Sequence, residues 1–183
     1  MKSLAVGSTQ QDRISPHARP IGAYVSCQIL TTEESLTFCD FVAFWRTYAP
    51  NTNYGLLSSH AKAPVLDLQW SLFSPLLYTV SADHTLIMTD VTTGQRTRKI
   101  RAHKEIINSI DRTMAAGSGT ELVATGSDDA TVKIWEGGEE AGKIPVATFD
   151  VGCPVTAVCW GKDGNSVYVG GIDNEVHVGS APS

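Results

Sequence analysis

Three aspartates stand at nearly equal intervals in this sequence. Asp83 lies in Ser81-Ala82-Asp83-His84-Thr85, Asp129 in Ser127-Asp128-Asp129-Ala130-Thr131, and Asp173 in Gly171-Ile172-Asp173-Asn174-Glu175, so the spacings are 46 and 44 residues. The surrounding segments repeat as well. Pro64-Val65-Leu66-Asp67-Leu68-Gln69-Trp70 matches Pro154-Val155-Thr156-Ala157-Val158-Cys159-Trp160, and the two tryptophans are 90 residues apart, two such intervals. Ile106-Ile107-Asn108-Ser109-Ile110 falls between them, and His60 and His103 each precede one of these apolar runs. A period near 45 constrains the fold before any motif does, because each repeated unit must bury its apolar face against a neighbour.

Within a period the runs are short, alternate apolar with polar, and are rich in Val, Ile, Thr and Trp, which predicts strands. Glu121-Leu122-Val123-Ala124-Thr125 reads as a strand, Asp128-Asp129 as a tight turn, and Thr131-Val132-Lys133-Ile134-Trp135 as the returning strand. Turn residues separate the runs at Thr93-Gly94-Gln95, Gly137-Gly138 and Lys162-Asp163-Gly164-Asn165. No long amphipathic helix is predicted. Four short strands per period of about 45 predict an all-β chain built of propeller blades.

Bulk properties narrow the function. The chain has 183 residues, 42% apolar and 18% charged, with a net charge of −5. Phosphate binding needs clustered Lys and Arg, so nucleic-acid contact is expected to be indirect or weak. No apolar run reaches the roughly 18 residues of a membrane helix. The opening MKSLAVGSTQQDR is too weakly apolar for a secretory signal, so an intracellular, non-secreted address is expected. Cys27, Cys39, Cys153 and Cys159 form no CxxC pair, so they are expected to be free, buried thiols and not metal ligands.

The elements Ser59-His60, Ala102-His103, the aspartate turns and Trp135-Glu136 resemble WD repeats over about residues 41 to 179. More narrowly, the order NYGLLSSHAKAPVLDLQW, ADHTL, TTGQRTRKIRAHKEIINS, VATGSDDATVKIWE and GGIDNEVHV is similar to the WD-repeat branch found in the spliceosomal U5 small nuclear ribonucleoprotein. GGIDN is the most diagnostic piece, since most WD repeats carry Ser or Thr where Gly171 stands. The resemblance implies a nuclear, non-catalytic scaffold in pre-mRNA splicing, with large spliceosomal U5 proteins as partners. It implies no cofactor, membrane or small-molecule substrate. A WD-repeat adaptor of another assembly, such as a ubiquitin ligase or chromatin complex, is the alternative.

The resemblance also assigns the paired carboxylates of GSDDATVKIWE. In WD blades a His, a hydroxyl of the second strand, the turn Asp and a Trp form a buried hydrogen-bond chain. The matching positions are His103, Thr125 or Ser127, Asp129 and Trp135, with His60, Asp83 and Asp173 as partial counterparts. A buried carboxylate needs donors and a buried indole needs an acceptor, so the chemistry suits that role. The competing reading is a His-Asp-Ser hydrolase, but no nucleophile elbow or oxyanion loop accompanies it, and an enzyme needs its acid only once. Thr89 replaces the Trp in the first full unit; Val151 replaces the His and Gly179 the Trp in the last. The middle unit is therefore expected to be the most stable.

Propeller loops carry function. The loops before each first strand and the turns after each second strand share one face, which makes Lys62, Lys104, Glu105, Asp128, Ile172 and Asn174 the candidate partner contacts. Gly137-Gly138-Glu139-Glu140-Ala141-Gly142-Lys143 has phosphate-loop spacing, but Ile144 follows where Ser or Thr is needed and no helix follows the strand. His17, His84 and His177 share no ligand spacing. The expected organisation is a mostly irregular or disordered segment 1–40 with a lone strand at Tyr24–Leu30, then the end of a blade (41–59), units at 60–102 and 103–149, a truncated unit at 150–179, and a tail at 180–183. Phe41–Trp45 and Tyr54–Leu57 are the expected third and fourth strands of the first. About three blades do not close a ring. The expectation is a fragment or truncated gene product, without function of its own if so, in preference to closure by self-association.

Overall fold

A computed structural model describes residues 4–6, 21–27, 30–32, 35–37, 41–46, 53–60, 63–138 and 142–180. Among the described residues the regular elements are antiparallel β-strands, with no helix. The chain divides into two compact units, Met1–Val65 and Leu66–Ser183.

In the first unit β1 (Leu4–Val6), β2 (Ile21–Cys27), β5 (Phe41–Arg46) and β6 (Asn53–Ser58) form a four-stranded sheet in the order β1-β2-β5-β6. β3 (Leu30–Thr32) and β4 (Ser35–Thr37) pair as a separate hairpin. Val42, Ala43 and Phe44 of β5 are buried. The strand expected alone at Tyr24–Leu30 instead spans Ile21–Cys27 and is paired on both edges, with β1 and β5. The physical reason is that a strand leaves a row of N–H and C=O groups on each edge, and a neighbour satisfies them. Strands β1 to β4 all lie within residues 1–40.

The second unit carries three successive meanders. The first sheet holds β7 (Val65–Trp70), β8 (Leu76–Ser81), β9 (Thr85–Asp90) and β10 (Arg96–Arg101). The middle sheet holds β11 (Ile107–Met114), β12 (Glu121–Ser127), β13 (Thr131–Glu136) and β14 (Ala147–Asp150). The third holds β15 (Val155–Trp160), β16 (Ser166–Gly171) and β17 (Val176–Ser180). β8 (LLYTVS) and β12 (ELVATGS) are buried along their whole length, as strands covered on both faces must be. The outer β10 (RTRKIR) buries only Ile100.

The first strand of each sheet buries residues three apart: Val65 and Leu68, Ile107 and Ile110, Val155 and Val158. A β-bulge explains the departure from period 2. The register shifts between Ile107 and Ser109 and again between Val155 and Ala157, so one extra residue, Asn108 or Thr156, is inserted and the next apolar side chain is turned inward.

Two clusters form the core. Tyr78, Val80, Leu86, Met88, Ile100 and Ala102 meet Ile107, Ile110, Val123 and Trp135 between the first and middle sheets. Leu122, Ala124, Val132 and Ile134 meet Val155, Val158, Trp160, Val167 and Val169 between the middle and third. A Cβ at Gly126 would lie 2.5 Å from Val155 Cγ1, so glycine permits this approach of the two sheets. Carboxylates tie the sheets as well. Asp67 accepts from the Ile110 N–H (3.0 Å), and Asp111 from the Trp160 N–H (2.7 Å). Burial pushes the Asp67 carboxyl up from its ordinary value, against the lowering effect of the Ile110 and Leu68 N–H groups. Glu121 accepts from Ser71 Oγ (2.7 Å), the Leu72 N–H (2.8 Å) and Tyr78 OH (2.9 Å), and burial raises the Tyr78 phenol to about 12.

Each second-to-third-strand turn places the residue after its aspartate in the left-handed region: His84, Ala130 and Asn174 all have φ 64°. Alanine is poorly suited to that conformation and asparagine tolerates it. Ala130→Asn is expected to raise stability by about 0.5–1 kcal/mol, and Asn174→Ala to lower it similarly, read as opposite shifts of the urea-unfolding midpoint.

Candidate functional site

The turn between β12 and β13 brings His103, Thr125, Asp129 and Trp135 together. Trp135 Nε1 donates to Thr125 Oγ1 at 3.0 Å. Thr125 Oγ1 lies 2.8 Å from His103 Nε2, and His103 Nδ1 lies 3.1 Å from both carboxylate oxygens of Asp129. One direction satisfies every group: the indole donates to the hydroxyl, the hydroxyl to Nε2, and the Nδ1 hydrogen to Asp129. Asp129 also accepts from Thr131 Oγ1 (2.6 Å), the Thr131 N–H (3.1 Å) and the Lys104 N–H (2.9 Å). Thr125 is the hydroxyl inside the chain; Ser127 Oγ accepts from the Asp129 N–H at 3.2 Å and shapes the turn.

Burial lowers the His103 imidazole from its ordinary value and outweighs the raising effect of Asp129. For Asp129 burial acts upward, but the Thr131 hydroxyl, the Lys104 N–H and His103 overcome it and hold the carboxyl at about 2. The His103 side chain has no exposed surface, and both its nitrogens are engaged. A general base must reach a substrate proton; this one faces only its own sheet. The arrangement ties the segment before β11 to strands β12 and β13 through side-chain hydrogen bonds.

The turn at Asp83 repeats that of Asp129: the Asp83 N–H donates to Ser81 Oγ and the Thr85 N–H to the Asp83 carboxylate. Asp83 accepts from Thr85 Oγ1 (2.6 Å) and pairs with Lys99 Nζ at 3.3 Å. His60 is buried, and Thr89 occupies the position equivalent to Trp135. In the third sheet Asp173 Oδ2 lies 2.7 Å from His177 Nε2 and Oδ1 accepts from the Glu175 N–H at 3.1 Å. His177 first, then the Glu175 N–H and the nearby Cys153 thiol, hold the Asp173 carboxyl at about 2. Desolvation, and then Asp173, push the Cys153 thiol up.

One sequence expectation is therefore corrected: the described cysteines are not buried. His177 is a strand histidine on β17 and faces the turn four residues back. Cys153 is half-buried at the turn, and Cys159 is exposed because strand alternation sends Val158 and Trp160 inward and Cys159 outward. Cys27 and Cys39 lie outside the residues whose side chains are described. Sequence reasoning missed the Cys153–Asp173–His177 group because its members come from a loop, a turn and a strand. The available signal was Gly171, standing where Ser81 and Ser127 stand in the other repeats.

The candidate contact residues lie along one edge of strand ends. Lys104 and Glu105 precede β11, and Asp128 opens the following turn, where its N–H donates to Ile106 O at 3.0 Å. Asn108 Nδ2 donates both to Asp128 Oδ1 (2.6 Å) and to Val155 O (2.8 Å) at the start of the third sheet. Beside it the Ile172 N–H donates to Pro154 O at 3.2 Å, which places Ile172 and Asn174 on the same edge. All five side chains are exposed. Lys62 lies outside the described residues, as do residues 139–141 of the phosphate-loop look-alike. There the Gly138 N–H donates to Tyr78 OH at 2.8 Å, where a phosphate loop would turn it toward a ligand.

Asp129→Asn is expected to cost about 3 kcal/mol of stability, and Asp128→Asn no more than about 1 kcal/mol, measured by chemical unfolding. Because the folded-state imidazole of His103 is depressed below 6.5, the unfolded chain binds more protons as the pH falls through that value. Stability is therefore expected to decline below about pH 6.5, and His103→Asn to flatten that slope in melting curves taken between pH 7.5 and 5. A second decline, from Asp129, follows as the pH falls from its ordinary 3.8 toward about 2.

The repeats and their geometry agree with comparisons against known proteins. The family model "WD domain, G-beta repeat" matches residues 51–90, 94–136 and 143–178. Pre-mRNA-splicing factor cwf17 of Schizosaccharomyces pombe is 33% identical over 137 residues, covering 75% of this chain and 38% of the relative. The U5 small nuclear ribonucleoprotein 40 kDa protein of Dictyostelium discoideum is 33% identical over 137 residues, covering 75% of this chain and 37% of the relative. Its Homo sapiens namesake is 35% identical over 83 residues, 45% of this chain and 22% of the relative. This chain spans little more than a third of the length of the first two. With WD-repeat matches over all three sheets of its second unit and the His–Thr–Trp–Asp chain at the centre of the middle one, the protein belongs to the WD-repeat family.

Proposed function

We propose that this chain is a non-catalytic protein-interaction scaffold of the pre-mRNA splicing machinery, acting in the nucleus. The observation that carries the reading is the 33% identity to two splicing proteins across 137 residues, three quarters of the chain. The proposed partners are large proteins of the U5 particle, with RNA touched indirectly or weakly, in keeping with the net charge of −5. The proposed contact edge holds Lys104, Glu105, Asp128, Ile172 and Asn174; the candidate Lys62 lies outside the described residues. This edge mixes charges of both signs with one apolar side chain, Ile172, that is 63% exposed, a composition suited to a protein partner.

The test is affinity purification of the full chain from nuclear extract, with bound proteins identified by mass spectrometry. U5 proteins are expected in the wild-type sample and are expected to fall several-fold with Lys104→Glu combined with Ile172→Asp, while the melting temperature stays within a few degrees. Enrichment of ubiquitin-ligase or chromatin proteins in place of splicing proteins would overturn the splicing assignment. Unchanged capture by the double variant would move the contact edge elsewhere.

A further inference from the structure

We propose that Cys153, Asp173 and His177 form a binding site for a thiophilic divalent cation of the zinc type at the edge of the third sheet. One sulfur, one oxygen and one nitrogen donor from these residues lie within 4.8 Å of one another. Zinc bonds of about 2.3 Å to thiolate and about 2.0–2.2 Å to imidazole or carboxylate would require only small shifts of this group, with the 2.7 Å Asp173–His177 pair opening to admit the ion. A thiolate with an imidazole favours zinc over magnesium or calcium, which take oxygen donors. The site is open to solvent, so water fills the fourth position. On binding, the thiol releases its proton to solvent, and His177 keeps its hydrogen on Nδ1 so that Nε2 faces the ion in place of Asp173.

Comparison within the chain shows that this group is a local departure from the repeat. Counted from the buried residue that opens the first strand (Val65, Ile107, Val155), Cys153 stands where the other repeats have Ala63 and Glu105. Counted from the turn aspartate, His177 stands where they have Ile87 and Lys133, and Lys133 Nζ is directed to Ala102 O at 2.6 Å. Gly171 replaces Ser81 and Ser127. A Cβ there would lie 2.4 Å from Cys153 Sγ and 3.0 Å from Asp173 Oδ1, so the serine of the other repeats would displace the thiol. Three substitutions against the repeat thus meet at one point. Two supply donors, and the third clears the space between sulfur and carboxylate.

The test uses the full chain, stripped with chelator and titrated with Co²⁺ under reducing conditions. A thiolate-to-cobalt charge-transfer band saturating at one equivalent and bleached by Zn²⁺ is expected. Cys153→Ser should abolish it, Cys159→Ser should leave it unchanged, and His177→Ala and Gly171→Ser should weaken binding by at least about tenfold. Absence of the band, or a band that survives Cys153→Ser, overturns the proposal and leaves a thiol–carboxylate–imidazole hydrogen-bond group. A wild-type measurement is independent of whether the variants fold. Zn²⁺ should slow alkylation of Cys153 in peptide mapping while that of Cys159 is unaffected, and equal rates at Cys153 with and without Zn²⁺ also overturn it.

Discussion

Leu122, Ala124, Val132 and Ile134 leave the middle sheet on one side, Val123 and Trp135 on the other, and each set meets a further sheet. That double coverage is the constraint on which the rest of the second unit depends. It removes water from both faces of β12 and β13, so any polar group there must find its partner inside the protein. Trp135 brings an indole N–H into this space as a member of the cluster between the first and middle sheets. Thr125, His103 and Asp129 connect this N–H to a carboxylate at the turn. The hydrogen-bond chain is thus a consequence of burying an aromatic ring between two sheets.

The alternation and turn residues made the strands and turns legible from sequence, because these depend on local patterns of two to five residues; the pairing of Asp129 with His103, 26 residues away, was legible only through the resemblance to WD repeats. The bulges at Asn108 and Thr156 were not legible. A bulge looks like ordinary alternation until the partner strand is known, and only then does the three-residue interval between Ile107 and Ile110 acquire a meaning. The pairing of Ile21–Cys27 with Phe41–Arg46 escaped for a similar reason, since it joins an expected blade strand to a segment without repeat pattern. The pairings Asp67–Ile110, Asp111–Trp160 and Glu121–Leu72 are 43, 49 and 49 residues long-range, and a carboxylate in a strand carries no mark of which neighbour it will serve.

Repetition also separates architecture from individuality. Asp83, Asp129 and Asp173 all organise the same turn, and each is followed by a residue at φ 64°. Their further side-chain contacts include Lys99 for Asp83, His103 for Asp129 and His177 for Asp173. The backbone device is held constant while the side chains around it are free to vary. The positions that distinguish one repeat from another are accordingly concentrated where the strands end.

Asn108 has two amide hydrogens, and both are committed: one to Asp128 on the exposed edge, the other to the backbone carbonyl of Val155 in the next sheet. A molecule that binds Asp128 through its carboxylate competes for the first of these. If the amide rotates to follow, the second contact is strained. The exposed carboxylate of Asp128 and the joint between the middle and third sheets are therefore tied to one side chain.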